Sequence, residues 1–347
     1  MVATMFLALL ALQVLTTAPS HEPFAFFEPS VTITADDRRQ LDRGEPIARI
    51  VPSQHREIAI FTAVSVDVDG DRLVAWMRRI EELKRSSYVL AIGRFSDPPR
   101  IEDVAGVALD DEELSEILTC RPGRCGIKLS ASEISQLQRA DVEAGVDWKP
   151  VLQHAFRGVL LQRVTAYLAR GLSALPPYLD DADQVRPATR FSLLLEHSTF
   201  LARHVPRFAE HLSRYPGTST PEVESFVYWS KERLARKAII SATHVNILRS
   251  LEADVPDAIV AGKQIFATNY VSGSLGLTAI VRGEPGGHNY LAYLNRSEVD
   301  VLGGVFGGLV RWFVQRRLQA EAASVLLGLK RRLESGEPPP IDAKGPP

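Results

Sequence analysis

Cysteine is nearly absent from this chain, with two in 347 residues. A disulfide-dense scaffold is therefore excluded. An excess of either charge is also missing: 40 Lys and Arg stand against 42 Asp and Glu, for a formal net charge of −2. The basic footprint of a nucleic-acid binder is not there. No apolar run beyond the N-terminus is long enough to cross a bilayer, so no transmembrane span is expected in the mature chain. What remains is 45% hydrophobic and 24% charged, the balance of a globular protein of one or two domains with a sizeable core.

The N-terminal run Met5–Leu15 is apolar but short, and Thr16-Thr-Ala-Pro-Ser20 follows it at once. A hydrophobic segment followed by small residues is the layout of a signal peptide, here residues 1–20, although no Lys or Arg precedes it. The expectation is a periplasmic or secreted protein beginning at His21. Both cysteines lie in Cys120-Arg-Pro-Gly-Arg-Cys125. Pro122-Gly123 suits the centre of a type II turn, which brings the flanking chains together. In an exported protein that spacing reads as a Cys120–Cys125 disulfide, with reduced thiols as the alternative. Zinc lacks further ligands nearby, and no metal or cofactor is expected.

Along the chain, residues 21–54 read as an N-terminal extension. Ile58–Val66 and Tyr88–Gly93 read as strands, with a helix from about Arg72 to Lys84 between them. From about 130 to 215 the pattern is helical. Ser130-Ala-Ser-Glu133 has the capping-box form, and Trp148–Arg170 places apolar residues three and four apart. The last third turns to β: Val223–Ser230, Ala238–Leu248, Ala258–Tyr270, Ser274–Val281 and Asn289–Asn295, with short connections that imply an antiparallel meander. A long helix over 301–334 follows, opened by Gly303-Gly-Val-Phe-Gly-Gly308, whose glycines suit close packing on the sheet. Residues 335–347 are Pro-rich and read as a disordered tail. The fold class expected is α+β: one domain over 55–334, with a curved antiparallel sheet packed on a long C-terminal helix and a helical insertion at about 130–215.

That element order resembles the START-like helix-grip fold, in which a curved sheet wraps a C-terminal helix around a cavity for apolar ligands. The segments Tyr228-Trp-Ser-Lys-Glu232, Lys263–Tyr270, Ser274-Leu-Gly-Leu-Thr278 and Tyr290–Ser297 resemble a family of exported bacterial proteins over roughly residues 55–335. The resemblance implies export and a single folded unit, and it carries over no catalytic residue.

The polar residues on the expected strands are the candidate ligand-binding set: His244, Asn246, Lys263, Asn269, Tyr293, Asn295 and Arg296. Polar groups on a cavity-lining face must be satisfied by one another, by water or by a ligand. The alternative is a solvated outer face, and for Arg296 an ion pair with Asp300 at the helix start. His197, His204 and His211 recur every seven residues, too far apart along a helix for one metal, and suit surface or capping roles. Ser272-Gly-Ser-Leu-Gly276 only imitates a nucleophile elbow, because it lies between strands. The function expected is a periplasmic binding or carrier protein for a hydrophobic, lipid-like ligand. Two alternatives stand beside it: an enzyme using His244 as acid/base with Lys263 or Arg296 as charge stabiliser, and an envelope interaction protein.

Overall fold

The computed structural model describes residues 22–336 apart from 55, 145–146, 181–182, 219, 234–236, 285 and 304–306, with backbone alone for 141–144, 180, 301, 303, 307–310, 312–314 and 317. The signal peptide, most of the Gly303–Gly308 run and nearly all of the tail lie outside the described residues.

Five long strands in the last third form the meander that the sequence implies: β6 (Val223–Glu232), β7 (Ile239–Arg249), β8 (Ala258–Ala267), β9 (Val271–Val281) and β10 (Asn289–Val299). Three earlier strands extend it at both ends: β1 (Ile47–Val51), β2 (Glu57–Val66) and β3 (Val89–Arg94). The result is one eight-stranded antiparallel sheet in the order β1-β2-β10-β9-β8-β7-β6-β3. All ten residues of β2 are buried, because helices cover both of its faces. The fold is thus α+β, with a large curved antiparallel sheet and a long C-terminal helix.

On one face lie α2 (Gly70–Arg78), α3 (Ile80–Leu83) and the C-terminal helix α10 (Gly307–Glu334). Leu73, Val74 and Met77 of α2, with Leu326 and Leu333 of α10, pack on Val64, Val66, Phe226, Val245 and Ile280 of the sheet. Helix α10 runs along β1 and β2, where Gln319 donates to the Ala48 carbonyl at 2.6 Å and Lys330 to that of Ser65 at 2.8 Å. It sits toward one side of the sheet rather than across its middle.

The other face carries the helical insertion: α4 (Asp111–Thr119), α5 (Ala131–Ala144), α6 (Trp148–Arg170), α7 (Pro187–Glu196), α8 (Thr199–His204) and α9 (Pro206–Arg214), with a small hairpin of β4 (Tyr178–Asp180) and β5 (Asp183–Val185). Leu152, Phe156, Val159, Leu160, Val164 and Tyr167 form the buried stripe of α6. Arg163 lies in that stripe and is neutralised by Glu133 of α5 through two 2.5 Å contacts. The Ser130 capping box is formed, with Ser130 N donating to Glu133 at 2.7 Å and Glu133 N to Ser130 Oγ at 3.3 Å. Residues 24–42, read from sequence as part of an extension, complete this layer. Phe24 and Phe27 pack against Phe61 of β2, and α1 (Ala35–Asp42) starts at a Thr34–Asp37 capping box.

The two cysteines are joined by a disulfide at the end of α4. Gly123 takes a φ of 79° and Arg124 N donates to the Arg121 carbonyl at 2.8 Å, the positive φ that a type II turn needs at that position. The amide of Gln138 on α5 donates to the carbonyls of Ile117 and Cys120, so the end of α4 is also held without the disulfide. Replacing both cysteines by serine is expected to cost about 2 kcal/mol, the chain-entropy value for so short a loop, read as a shifted urea midpoint with an unchanged slope. Among the described residues no helix is long and apolar enough to cross a membrane.

Candidate functional site

A sheet covered on both faces should be buried on both, yet the middle of this one is not. On the α10 face, Ser241 and Thr243 of β7, Gly262 and Gln264 of β8, Ser274 and Gly276 of β9, and Tyr293, Asn295 and Ser297 of β10 remain partly accessible. Their neighbours on the insertion face, among them Ala242, His244, Ala261, Lys263, Leu275 and Leu294, are buried. The alternation is the period of two of each strand. It leaves a polar strip across four central strands beside α10.

The floor of the strip is glycine. Gly262 and Gly276 are direct partners in the β8–β9 register, and a Cβ at Gly276 would stand 3.4 Å from the Tyr293 hydroxyl. The Tyr293 ring therefore leans over β9 in space that a side chain would take. Toward β10, Asn295 Nδ2 donates to Ser274 Oγ at 3.1 Å, Ser297 donates its one proton to Asn295 Oδ1 at 2.7 Å, and the Ser274 and Ser297 hydroxyl oxygens lie 2.9 Å apart. The opposite wall comes from β6, where Lys84 pairs with Glu232 at 2.5 Å and donates to the Tyr228 hydroxyl at 3.2 Å, while Ser230 donates to Glu232 at 2.6 Å. Burial works to lower the Lys84 pKa, but Tyr228 and Glu232 outweigh it and raise the ammonium above its usual range. Burial also raises the Tyr293 phenol, which stays neutral. The Thr243 hydroxyl and the Gln264 amide make no hydrogen bond to another described residue, so their polar capacity is open to whatever occupies the strip.

Only Tyr293 and Asn295 of the expected binding set belong to this strip. His244, Asn246 and Lys263 are fully buried on the other face, under α6, α7 and α9. There Tyr167 of α6 bonds His244 Nδ1 at 2.7 Å, and Asn246 Oδ1 accepts from His211 Nε2 of α9 at 3.0 Å. Lys263 donates to the Leu212 carbonyl at 2.7 Å, with its Nζ 5.0 Å from the ring centroids of Tyr167 and Phe191 and 5.8 Å from that of Tyr215. Burial pushes the Lys263 amine down to about 7. Burial, and then the Lys263 charge, hold His244 well below the usual histidine range.

Arg296 pairs with Glu57 of β2 at 2.6 Å, and Glu57 also meets His197 at 2.5 Å, so the expected partner Asp300 is corrected to Glu57. Asn269 lies beyond β8, its amide between Thr268 Oγ1 and the Gly126 carbonyl. The expectation of surface or capping roles is also corrected for His211, which is buried.

One cluster was not anticipated. Ser272 Oγ donates to Asp300 at 2.6 Å and accepts from Lys128 at 3.1 Å and Tyr178 at 3.2 Å, while Lys128 also pairs with Asp300 at 2.6 Å. It borders a recess of about 20 Å³, room for about one water. With one proton donated and two hydrogen bonds accepted, the serine oxygen is saturated, and Lys128 is paired with Asp300. The cluster fastens the insertion to the sheet rather than presenting a nucleophile. Among the described residues no three His, Cys, Asp or Glu side chains converge as a metal site.

No family model, curated protein or solved structure matches the chain. The reading of the site therefore rests on its own chemistry. Hydroxyls, amides and a phenol over a glycine floor can orient a ligand by hydrogen bonds. The buried clusters behind the sheet hold the scaffold that presents them.

Proposed function

We propose that the protein is an exported, periplasmic or secreted, carrier for a small amphipathic molecule held on the α10 face of the sheet, in a START-like manner. The observation that carries this reading is the partly accessible polar strip at the centre of a sheet whose reverse side is buried. Thr243 and Gln264, whose polar groups bond no other described residue, suit the polar end of a ligand beside the Tyr293 phenol. Hydrocarbon removed from water alongside α10 adds about 25 cal/mol per Å².

The insertion lies on the opposite face and forms no lid over this strip. The enzyme alternative is less favoured, because the His244 ring is enclosed and its Nδ1 is already bonded to Tyr167. The disulfide accords with an oxidising compartment. Native mass spectrometry after mild extraction is expected to show an added small-molecule mass, or uptake of a single-chain phospholipid on titration. A clean protein mass that stays unchanged through the titration overturns the proposal.

A further inference from the structure

The buried polar cluster behind the sheet has a property that its hydrogen bonds alone do not explain. Three protonatable side chains, Lys263 of β8, His244 of β7 and His211 of α9, meet in one interior site, and among the described residues none of them forms an ion pair. Two imidazole nitrogens, Nε2 of His244 and Nδ1 of His211, are buried without any partner. A buried nitrogen left unpaired has an energetic cost, and a buried charge without a counter-ion costs more.

The other groups packed here are Tyr167 of α6, Phe191 of α7, Tyr215 just after α9 and Asn246 of β7, none of them acidic at neutral pH. Leu275 of β9 is the cross-strand neighbour of Lys263. Among the described residues two acids act on this site: Glu222 on His211, itself paired with Arg207 at 2.9 Å, and Asp97 on Tyr215.

We propose that this interface is an acid-released latch, in which protonation of His211 and His244 beside Lys263 detaches α7–α9 from the sheet while the strands stay folded. Three ring faces and the Leu212 carbonyl can hold one ammonium there. They offer nothing to a second and a third positive charge, and Lys263 repels both imidazolium ions. The elements that would move are short: α8 has six residues and α9 nine, and each begins without a side-chain cap hydrogen bond.

The direction follows from linkage. All three groups bind protons more weakly when closed, so the open state gains protons and closure strengthens as pH rises. Lys263 acts between its closed value of about 7 and the ordinary lysine range, where opening should change about tenfold per pH unit. The two histidines act below about pH 6.5, with up to about a hundredfold per unit while both titrate.

The test is amide hydrogen exchange of the full chain from pH 5 to 9, corrected for intrinsic rates. Residues 187–214 are expected to open more readily on both acid-side segments of this profile, while β6–β10 keep their protection. His211→Gln, which can keep the bond to Asn246, should roughly halve the slope below pH 6.5, and Lys263→Met should remove the slope above 7. Should Lys263→Met fail to fold, wild type and His211→Gln still decide the matter. A flat profile for 187–214, an unaltered slope in His211→Gln, or strands that open in parallel with α7–α9 overturns the latch.

Discussion

Glu57→Gln is expected to lower the unfolding free energy by about 3–5 kcal/mol, the usual result of removing one member of a buried ion pair. Glu57 and Arg296 are both nearly inaccessible, and the same carboxylate also receives His197 of the insertion. Glutamine fills the same volume, so the loss comes from a guanidinium left without its counter-charge rather than from a cavity. Arg296 has little reserve, because its Nε already lacks a partner. The double variant Glu57→Leu with Arg296→Met should recover most of the loss, since a matched apolar pair avoids desolvating either charge. Urea melts of the two variants and the wild type measure this. A Glu57→Gln midpoint equal to wild type, or a double variant weaker than the single, contradicts it.

Gly276→Leu is expected to reduce ligand uptake at least about tenfold, about 1.4 kcal/mol, while stability stays within about 1 kcal/mol of wild type. A Cβ there already reaches the Tyr293 hydroxyl at 3.4 Å, so the longer side chain must displace that ring and fill the strip. The position is half-buried and lies mid-strand, where a glycine contributes little to the ladder, so the sheet should tolerate the change. Titration of the phospholipid that the wild type takes up, followed by native mass spectrometry, reads the effect. Equal uptake by wild type and variant would move the site away from the strip.

The meander was legible because β6–β10 alternate clearly and are joined by short turns, and α6 because its apolar stripe is regular. β1 was not: Ile47-Ala-Arg-Ile-Val51 is five residues long, and its pairing with β2 depends on the whole sheet. α1 is so polar that only its capping box, Thr34 with Asp37, marks it. For the site, the shared face of His244 and Asn246 was legible from parity. Asn295 and Arg296, being adjacent on a strand, could never line one cavity, and that parity separates the strip from the buried cluster. Which face stays accessible depends on where the covering helices come to lie, and a chain read in order contains no such information. Ser272, Lys128, Tyr178 and Asp300 meet from four separate segments for the same reason.

The pairing of β2 with β10 has a consequence for how the chain comes to be folded. Glu57 through Val66 hydrogen-bond to Asn289 through Glu298, so these partners are made at opposite ends of synthesis. The β6–β10 meander can close locally as it emerges, but the β1–β2 hairpin has no neighbour until the last strand exists. Closure across so long a loop is slow, so β2 and β10 are expected to pair after the local β6–β10 contacts have formed. The β1–β2 hairpin therefore keeps one edge unpaired until β10 arrives, whatever has folded before it.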